Sequence, residues 1–205
     1  MSNNLVITIG RQFGSGGRHI GKLVGGKLGK KVYDKELINL ASEASGISRE
    51  LLDSYDERPN NSLLYSLSLG TYSFENSIGG VPHHLPIIDK VFAVQSQVIR
   101  DIADKEPCVI IGRCADSILS GREKLLTVFI HADTEERIER VREYEKVSNN
   151  EASIIVKNAD KKRASYHNYF SDNKWGVATS YDLCINSKIG FERAADIIVD
   201  CANRF

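Results

Sequence analysis

The stretch LVITIGRQFGSGGRHIGKLV, Leu5 to Val24, decides the fold. Leu5 to Ile9 is a short apolar run closed by Gly10, as expected of a buried strand that feeds a loop. Ile20, Leu23, Val24 and Leu28 then recur at helical spacing, with Gly29 as the stop. A strand, a glycine-rich loop and a helix follow one another. Without Cβ atoms the loop backbone can curl so that successive N–H groups point inward. The helix N-terminus adds about half a positive charge, which makes a phosphate the natural guest.

The same alternation continues outward. Val32-Tyr33 leads into a helix predicted over Lys35 to Ala44, with Leu37, Ile38, Leu40 and Ala41 on its apolar face. Residues 57–86 mix Asn, Ser, Gly and Pro and are the least regular part of the chain. A long helix is predicted over Leu85 to Ala103, and Pro107 introduces the apolar strand CVIIG. Leu125 to Ile130 is a further strand, and Asp133-Thr134-Glu135-Glu136 has the form of a capping box opening the next helix. A polar helix from Asn150 to about Phe170, a strand over Asp182 to Asn186 and a helix from Phe191 to Ala202 complete the pattern. Strands separated by helices imply an α/β fold with a parallel sheet covered on both faces. With 205 residues and no linker or repeat, one domain is expected over residues 1–205.

Composition excludes several classes. Lys plus Arg and Asp plus Glu balance at 27 each, so there is no global basic field to hold nucleic acid or an anionic membrane, and any anion site must be local. Cys108, Cys114, Cys184 and Cys201 form no CxxC pair and read as small buried residues of a reduced compartment. No segment approaches the roughly 18 apolar residues needed to cross a bilayer, and no signal-peptide pattern opens the chain, so a cytoplasmic location is expected. His83-His84, in a loop without nearby Cys or carboxylate pairs, is not expected to bind metal.

The loop departs from GxxxxGK[ST]. Gly10 to Gly16 is one residue longer than that spacing, Gly17 holds the lysine position, and Arg18 or His19 replaces the Mg²⁺-binding Ser/Thr. Arg18 stands one residue later and Lys22 a turn beyond, so either can supply the missing charge, with Arg18 closer to the loop mouth. One alternative is a tight turn whose glycines serve strand–helix packing. Another is a dinucleotide site, with Asp34 about 20 residues on, although His19 stands where the third glycine belongs.

ITIGRQFGSGGRHIGKLVGGKLG resembles the opening of bacterial cytidylate kinases, and VIIGRCAD resembles their Gly-Arg-Asp segment. LLTVFIHADTEERIERV is similar to the family's strand and arginine-bearing helix. NADKKRASYHNYFSDNKWGVATSYDLCINS is similar to its lid and final strand in the divergent cytidylate kinase-like branch. The resemblance implies a P-loop nucleoside-monophosphate-kinase-like three-layer fold with a five-stranded parallel sheet. It also implies an acceptor flap at about 35–86 and a donor lid at about 148–175.

By the same resemblance, Gly14, Ser15, Gly16 and Gly17, with Arg18 and His19, would hold ATP phosphates. Arg113 would contact the acceptor phosphate, and Arg163 would be a lid arginine that neutralises the transferring group. Plain readings stand beside these. Arg113 can pair on a strand-end surface, Arg163 can lie on a solvated helix face, and Asp133–Arg137 and Glu136–Arg140 stand at ion-pair spacing on a surface. Tyr166, His167, Tyr169, Phe170 and Trp175 can stack on a base or pack the lid; packing is the expectation. The family's flap tyrosine–arginine pair has no counterpart, since Tyr33-Asp34-Lys35-Glu36 leads into a helix with no arginine before Arg49. Asp34 is expected to bind a substrate hydroxyl or Mg²⁺ through water, or to be a helix N-cap. The expected function is ATP- and Mg²⁺-dependent phosphoryl transfer to CMP or dCMP. The alternative is a nucleotide- or phosphate-binding protein without turnover.

Overall fold

The computed structural model describes residues 4–57 and 86–205. The part of the expected flap between 58 and 85, with His83-His84, lies outside them.

Strand β1 (Val6–Arg11) is followed by helix α1 (Gly17–Leu28), β2 (Lys31–Tyr33), α2 (Glu36–Ser45) and α3 (Arg49–Tyr55). Next come α4 (Ile87–Lys105), β3 (Cys108–Ile111), the single turn α5 (Ala115–Ile118), β4 (Leu125–His131) and α6 (Thr134–Glu145). The chain closes with α7 (Asn149–Phe170), β5 (Leu183–Asn186) and α8 (Phe191–Ala202). The expected strands and long helices form, each beginning and ending within a few residues of the prediction. The short α3, opened by Ser48 accepting from Leu51 N, carried no strong periodic signal.

The five strands pair in parallel in the order β2-β3-β1-β4-β5. Alternation along the strands divides the core. Val6, Cys108 and Ile110 face α2, α3 and α4 through Leu37, Leu52, Val91 and Ile99. Ile7, Ile9, Val109 and Val128 face α1 and α8 through Ile20, Val24 and Ile198. Apolar residues on both sides of a strand are what a parallel sheet covered by helices requires. All strands end on the same edge, where ligands of open α/β sheets bind.

Two expectations change. Asp133 precedes α6 but makes no side-chain cap; its carboxylate accepts from Asn186, at the end of β5, and Lys188, on the turn that follows, each at 3.3 Å. The capping box forms instead at Ser148 and Glu151, opening α7. Cys108 and Cys114 are buried as expected, whereas Cys184 on the edge strand β5 is exposed. Among the described residues, no helix is long and apolar enough to cross a membrane.

Candidate active site

The glycine loop leaves β1 at Arg11 and turns at Gly14 (φ 75°) and Gly16 (φ 79°), both in the left-handed region that side chains disfavour. Gln12 N donates to Ile130 O at 3.0 Å, and the buried Ser15 hydroxyl donates to Gln12 O at 2.8 Å. Ser15 thus closes the loop on itself. The first helical bond runs from Ile20 N to Gly16 O, so the amides of Gly17, Arg18 and His19 have no intrahelical acceptor.

Helices α6 and α7 hold the loop from behind. Phe13 N donates to Asp160 at 2.7 Å, and Asp160 also binds Arg137, whose guanidinium donates to Phe13 O at 3.3 Å. Arg140 donates to Gly14 O at 3.2 Å and lies over the Phe191 ring. The surface pair expected between Asp133 and Arg137 is therefore absent. Arg137 is buried, with Asp160 and the Phe13 carbonyl accepting from one terminal nitrogen while its Nε has no partner, and the Glu136–Arg140 pair forms at 2.9 Å. A cleft of about 420 Å³ opens beside the loop, lined among others by Phe13, Gly14, Arg18, Lys22, Arg140 and Phe191.

Guanidinium groups gather at the sheet edge. Gly112, Arg113 and Cys114 are all left-handed (φ 77°, 55° and 53°), which folds the chain sharply after β3 and turns Arg113 inward. Arg113 grips Asp56 with two bonds of 2.8 Å and donates to Asp34 O. Its side chain is 2% exposed, so the pairing expected at the strand end forms in the interior and not on a surface. Arg11, also buried, chelates Glu57 at 2.6 and 3.1 Å. Glu57 further accepts from Arg113 N at 2.9 Å and faces Arg163 at 3.5 Å. Arg163 lies over the Phe13 ring and donates to Arg11 O, so it is not on a solvated helix face.

Burial and charge set these groups in opposite directions. Burial would raise the Glu57 carboxyl, but Arg11 and Arg163 outweigh it and hold it far below the usual carboxylate range. Burial, helped by the repulsion of Arg11, brings Arg163 down to about 10. Asp56 is pushed upward by burial against the pull of Arg113.

Arg18 is half-exposed and engages Asp34 at 2.6 Å. Asp34 is therefore not an N-cap, and the charge of Arg18 lies at the end of β2. In the segment expected to be a lid, Phe170 stacks on Phe92 at 3.8 Å and Trp175 meets Phe129 edge-on, as the packing reading expects. His167 differs from its aromatic neighbours: buried, it pairs with Asp116 at 2.7 Å, and its Nδ1 has no partner.

The chain matches the cytidylate kinase-like family over residues 6–189. It belongs to that family. No curated protein sequence matches it. Among solved structures, an uncharacterized protein from Eubacterium ventriosum is 28% identical, with a TM-score of 0.71 over 98% of this chain and 99% of that one. Shikimate kinase from Bacteroides thetaiotaomicron is 14% identical, with a TM-score of 0.56 over 97% and 98%. APS kinase from Mycobacterium tuberculosis, in complex with AMPPNP and APS, is 15% identical, with a TM-score of 0.53 over 99% of each chain. The last two place the chain in the P-loop kinase fold.

Within this cytidylate kinase-like chain, the expected Arg113 and Arg163 line the same pocket, while Arg18 pairs with Asp34, whose carbonyl in turn accepts from Arg113. Arg11, Asp56 and Glu57 had no part in the sequence reading. Their signal was available only indirectly: an Asp-Glu pair and an arginine closing a buried strand both need partners if buried.

Proposed function

We propose that this protein transfers the γ-phosphoryl group of ATP to a nucleoside monophosphate, with CMP or dCMP as the acceptor. One observation carries the reading: Arg11, Arg113 and Arg163 line one pocket around Glu57 at the carboxyl edge of the sheet, beside a glycine loop with open amides. Buried positive charge without a covalent nucleophile suits phosphoryl transfer, which relies on positioning and electrostatics.

The residues present fit a nucleotide. Gly16 lets the loop turn against the Phe191 ring, since a Cβ there would lie 2.5 Å from that ring. The cleft beside the loop has the mixed apolar and cationic lining a base and phosphates need. ATP with Mg²⁺ supplies the activated phosphoryl group. Gly14 to Gly17, Arg18 and His19 would hold donor phosphates through backbone amides, and Asp34 would bind a substrate hydroxyl or hold Mg²⁺ through water. Arg113 would fix the acceptor phosphate. In the step itself an acceptor oxygen forms the new bond to Pγ while the bond to the bridging oxygen breaks, leaving its electron pair on ADP. Arg163 would donate to the equatorial oxygens from the lid at 148–175, and the chain would act as one cytoplasmic domain.

A second reading, a nucleotide- or phosphate-binding protein without turnover, is favoured by the carboxylates that already neutralise Arg11 and Arg113, and by the missing lysine. ATP- and Mg²⁺-dependent transfer to a panel of nucleoside monophosphates separates the two, comparing wild type with Arg18→Ala and Arg113→Ala. Turnover on CMP that falls by about a hundredfold in Arg113→Ala supports the kinase. ATP binding without turnover on any acceptor supports the binder.

A further inference from the structure

The phosphate-loop lysine is missing from its position but its charge is not missing from the loop. Counted back from Gly16, the first position of GxxxxGK falls on Arg11 and the lysine position on Gly17. A cation stands where a glycine belongs and a glycine stands where the cation belongs.

The exchange is spatial as well as sequential. A Cβ at Gly17 would lie 2.5 Å from Arg11 Cβ and 3.1 Å from its Cγ, so the stem of Arg11 fills the space in which a side chain at 17 would begin. From there the guanidinium passes over Gly112, where a Cβ would come within 2.0 Å of Arg11 Nη1. It ends on the Glu57 carboxylate, with the Arg113 amide and the Arg163 guanidinium aimed at the same carboxylate. Donors converging on one anionic group from three sides are the environment a phosphoryl group needs. Neither rival cation is placed this way. Arg18 is committed to Asp34 and half-exposed, and Lys22 lies a turn along α1, lining the outer cleft.

We propose that Arg11 supplies the positive charge of the absent lysine, entering from the opposite side of the loop, and that Glu57 occupies the place of the substrate's phosphoryl group until nucleotide displaces it. This rests on the phosphoryl-transfer reading. Arg11 would donate two parallel hydrogen bonds to phosphate oxygens without exchanging a proton, as its fork geometry favours.

The test is to restore the usual loop. Transfer from ATP, and the affinities for ATP and AMP by calorimetry, are compared for wild type, Arg11→Gly, Gly17→Lys and the double variant. Arg11→Gly is expected to lose about a hundredfold in transfer, with a clear fall in its preference for ATP over AMP. Gly17→Lys is expected to be impaired because its stem meets Arg11. The double variant is expected to regain at least about tenfold over either single variant, a coupling that only interacting sites show. Such rescue cannot come from a structural Arg11–Glu57 pair, since the double variant lacks it. Glu57→Gln, which keeps Arg11 in place, is expected to tighten ATP at least about threefold by removing a competing anion. The proposal is overturned if wild type binds ATP while Arg11→Gly keeps its preference for ATP over AMP. It is equally overturned if Glu57→Gln leaves ATP affinity unchanged or weaker. A wild type that binds no ATP overturns the proposal together with the phosphoryl-transfer reading, and that outcome is distinct from the other two.

Discussion

Glu57 binds Arg11 through both carboxylate oxygens, at 2.6 and 3.1 Å, in a left-handed backbone conformation (φ 51°) that few residues other than glycine adopt. A buried carboxylate held between guanidiniums is costly to remove, because the cations are left uncompensated. Glu57→Ala is expected to lower folding stability by about 3 kcal/mol. Inorganic phosphate at millimolar concentration is expected to return much of that loss, by linkage. Denaturant unfolding of both proteins with and without phosphate measures this, and an equal response to phosphate in the two would contradict it.

The acid limb of stability follows from the same pair. Arg11 and Arg163 outweigh burial and hold Glu57 below its ordinary value of 4.5. A depressed folded-state value means that the contribution is fully present above that pH and is lost as pH falls through the folded value. The stability gap between wild type and Glu57→Gln should therefore be widest near about pH 7 and shrink below about pH 4.5. Unfolding midpoints across this range check the slope; a gap that widens on acidification would be the wrong sign.

Arg163 is charged at some cost, since burial and Arg11 bring it down to about 10. Arg163→Met replaces the guanidinium that lies over Phe13 with an uncharged chain of similar stem length and removes that cost. Its thermal midpoint is expected to equal or exceed that of wild type, while phosphoryl transfer falls by about a hundredfold. A melting curve beside a rate assay separates this from a residue that serves the fold.

Arg113 and Asp56 form a buried bidentate pair at 2.8 Å. Arg113→Met leaves Asp56 without its countercharge, with the 3.4 Å bond from Gln95 remaining, and is expected to cost about 3 to 5 kcal/mol. Adding Asp56→Asn should recover a large part of the stability but none of the activity. A double-mutant cycle in urea gives the coupling, and purely additive effects would rule out the pairing.

Gly16→Ala forces a Cβ to within 2.5 Å of the Phe191 ring at φ 79° and is expected to cost about 1 to 3 kcal/mol. Phe191→Ala on the same background relieves the contact but not the backbone strain, so a residual loss of about 1 kcal/mol should remain. Calorimetric melting of the three variants resolves the two parts.

The order of elements was legible because apolar periodicity is local. Ile20, Leu23 and Val24 announce α1, and Leu125 to Ile130 announces β4, without reference to anything distant. Ser148–Glu151 was as local a signal as Asp133–Glu136, yet only the former became a capping box. Asp133 found Asn186 and Lys188 instead, more than fifty positions away in the chain. Arg137 likewise left its neighbour on the helix for Asp160.

By itself, then, the sequence determined the α/β alternation and the position of the glycine loop between β1 and α1, and it offered Arg113, just after β3, and Arg163, within α7, as candidates. Only the tertiary structure decided which charges meet. Arg11 and Glu57 are 46 positions apart, and Arg113 and Asp56 57 apart. Parallel strand order brings the ends of β1 and β3 side by side, with Asp56 and Glu57 seated against them, and burial makes each charge seek the partner that this packing places within reach. No spacing along the chain encodes that choice, because the energy of a buried ion pair depends on distance and exclusion of water in the folded state.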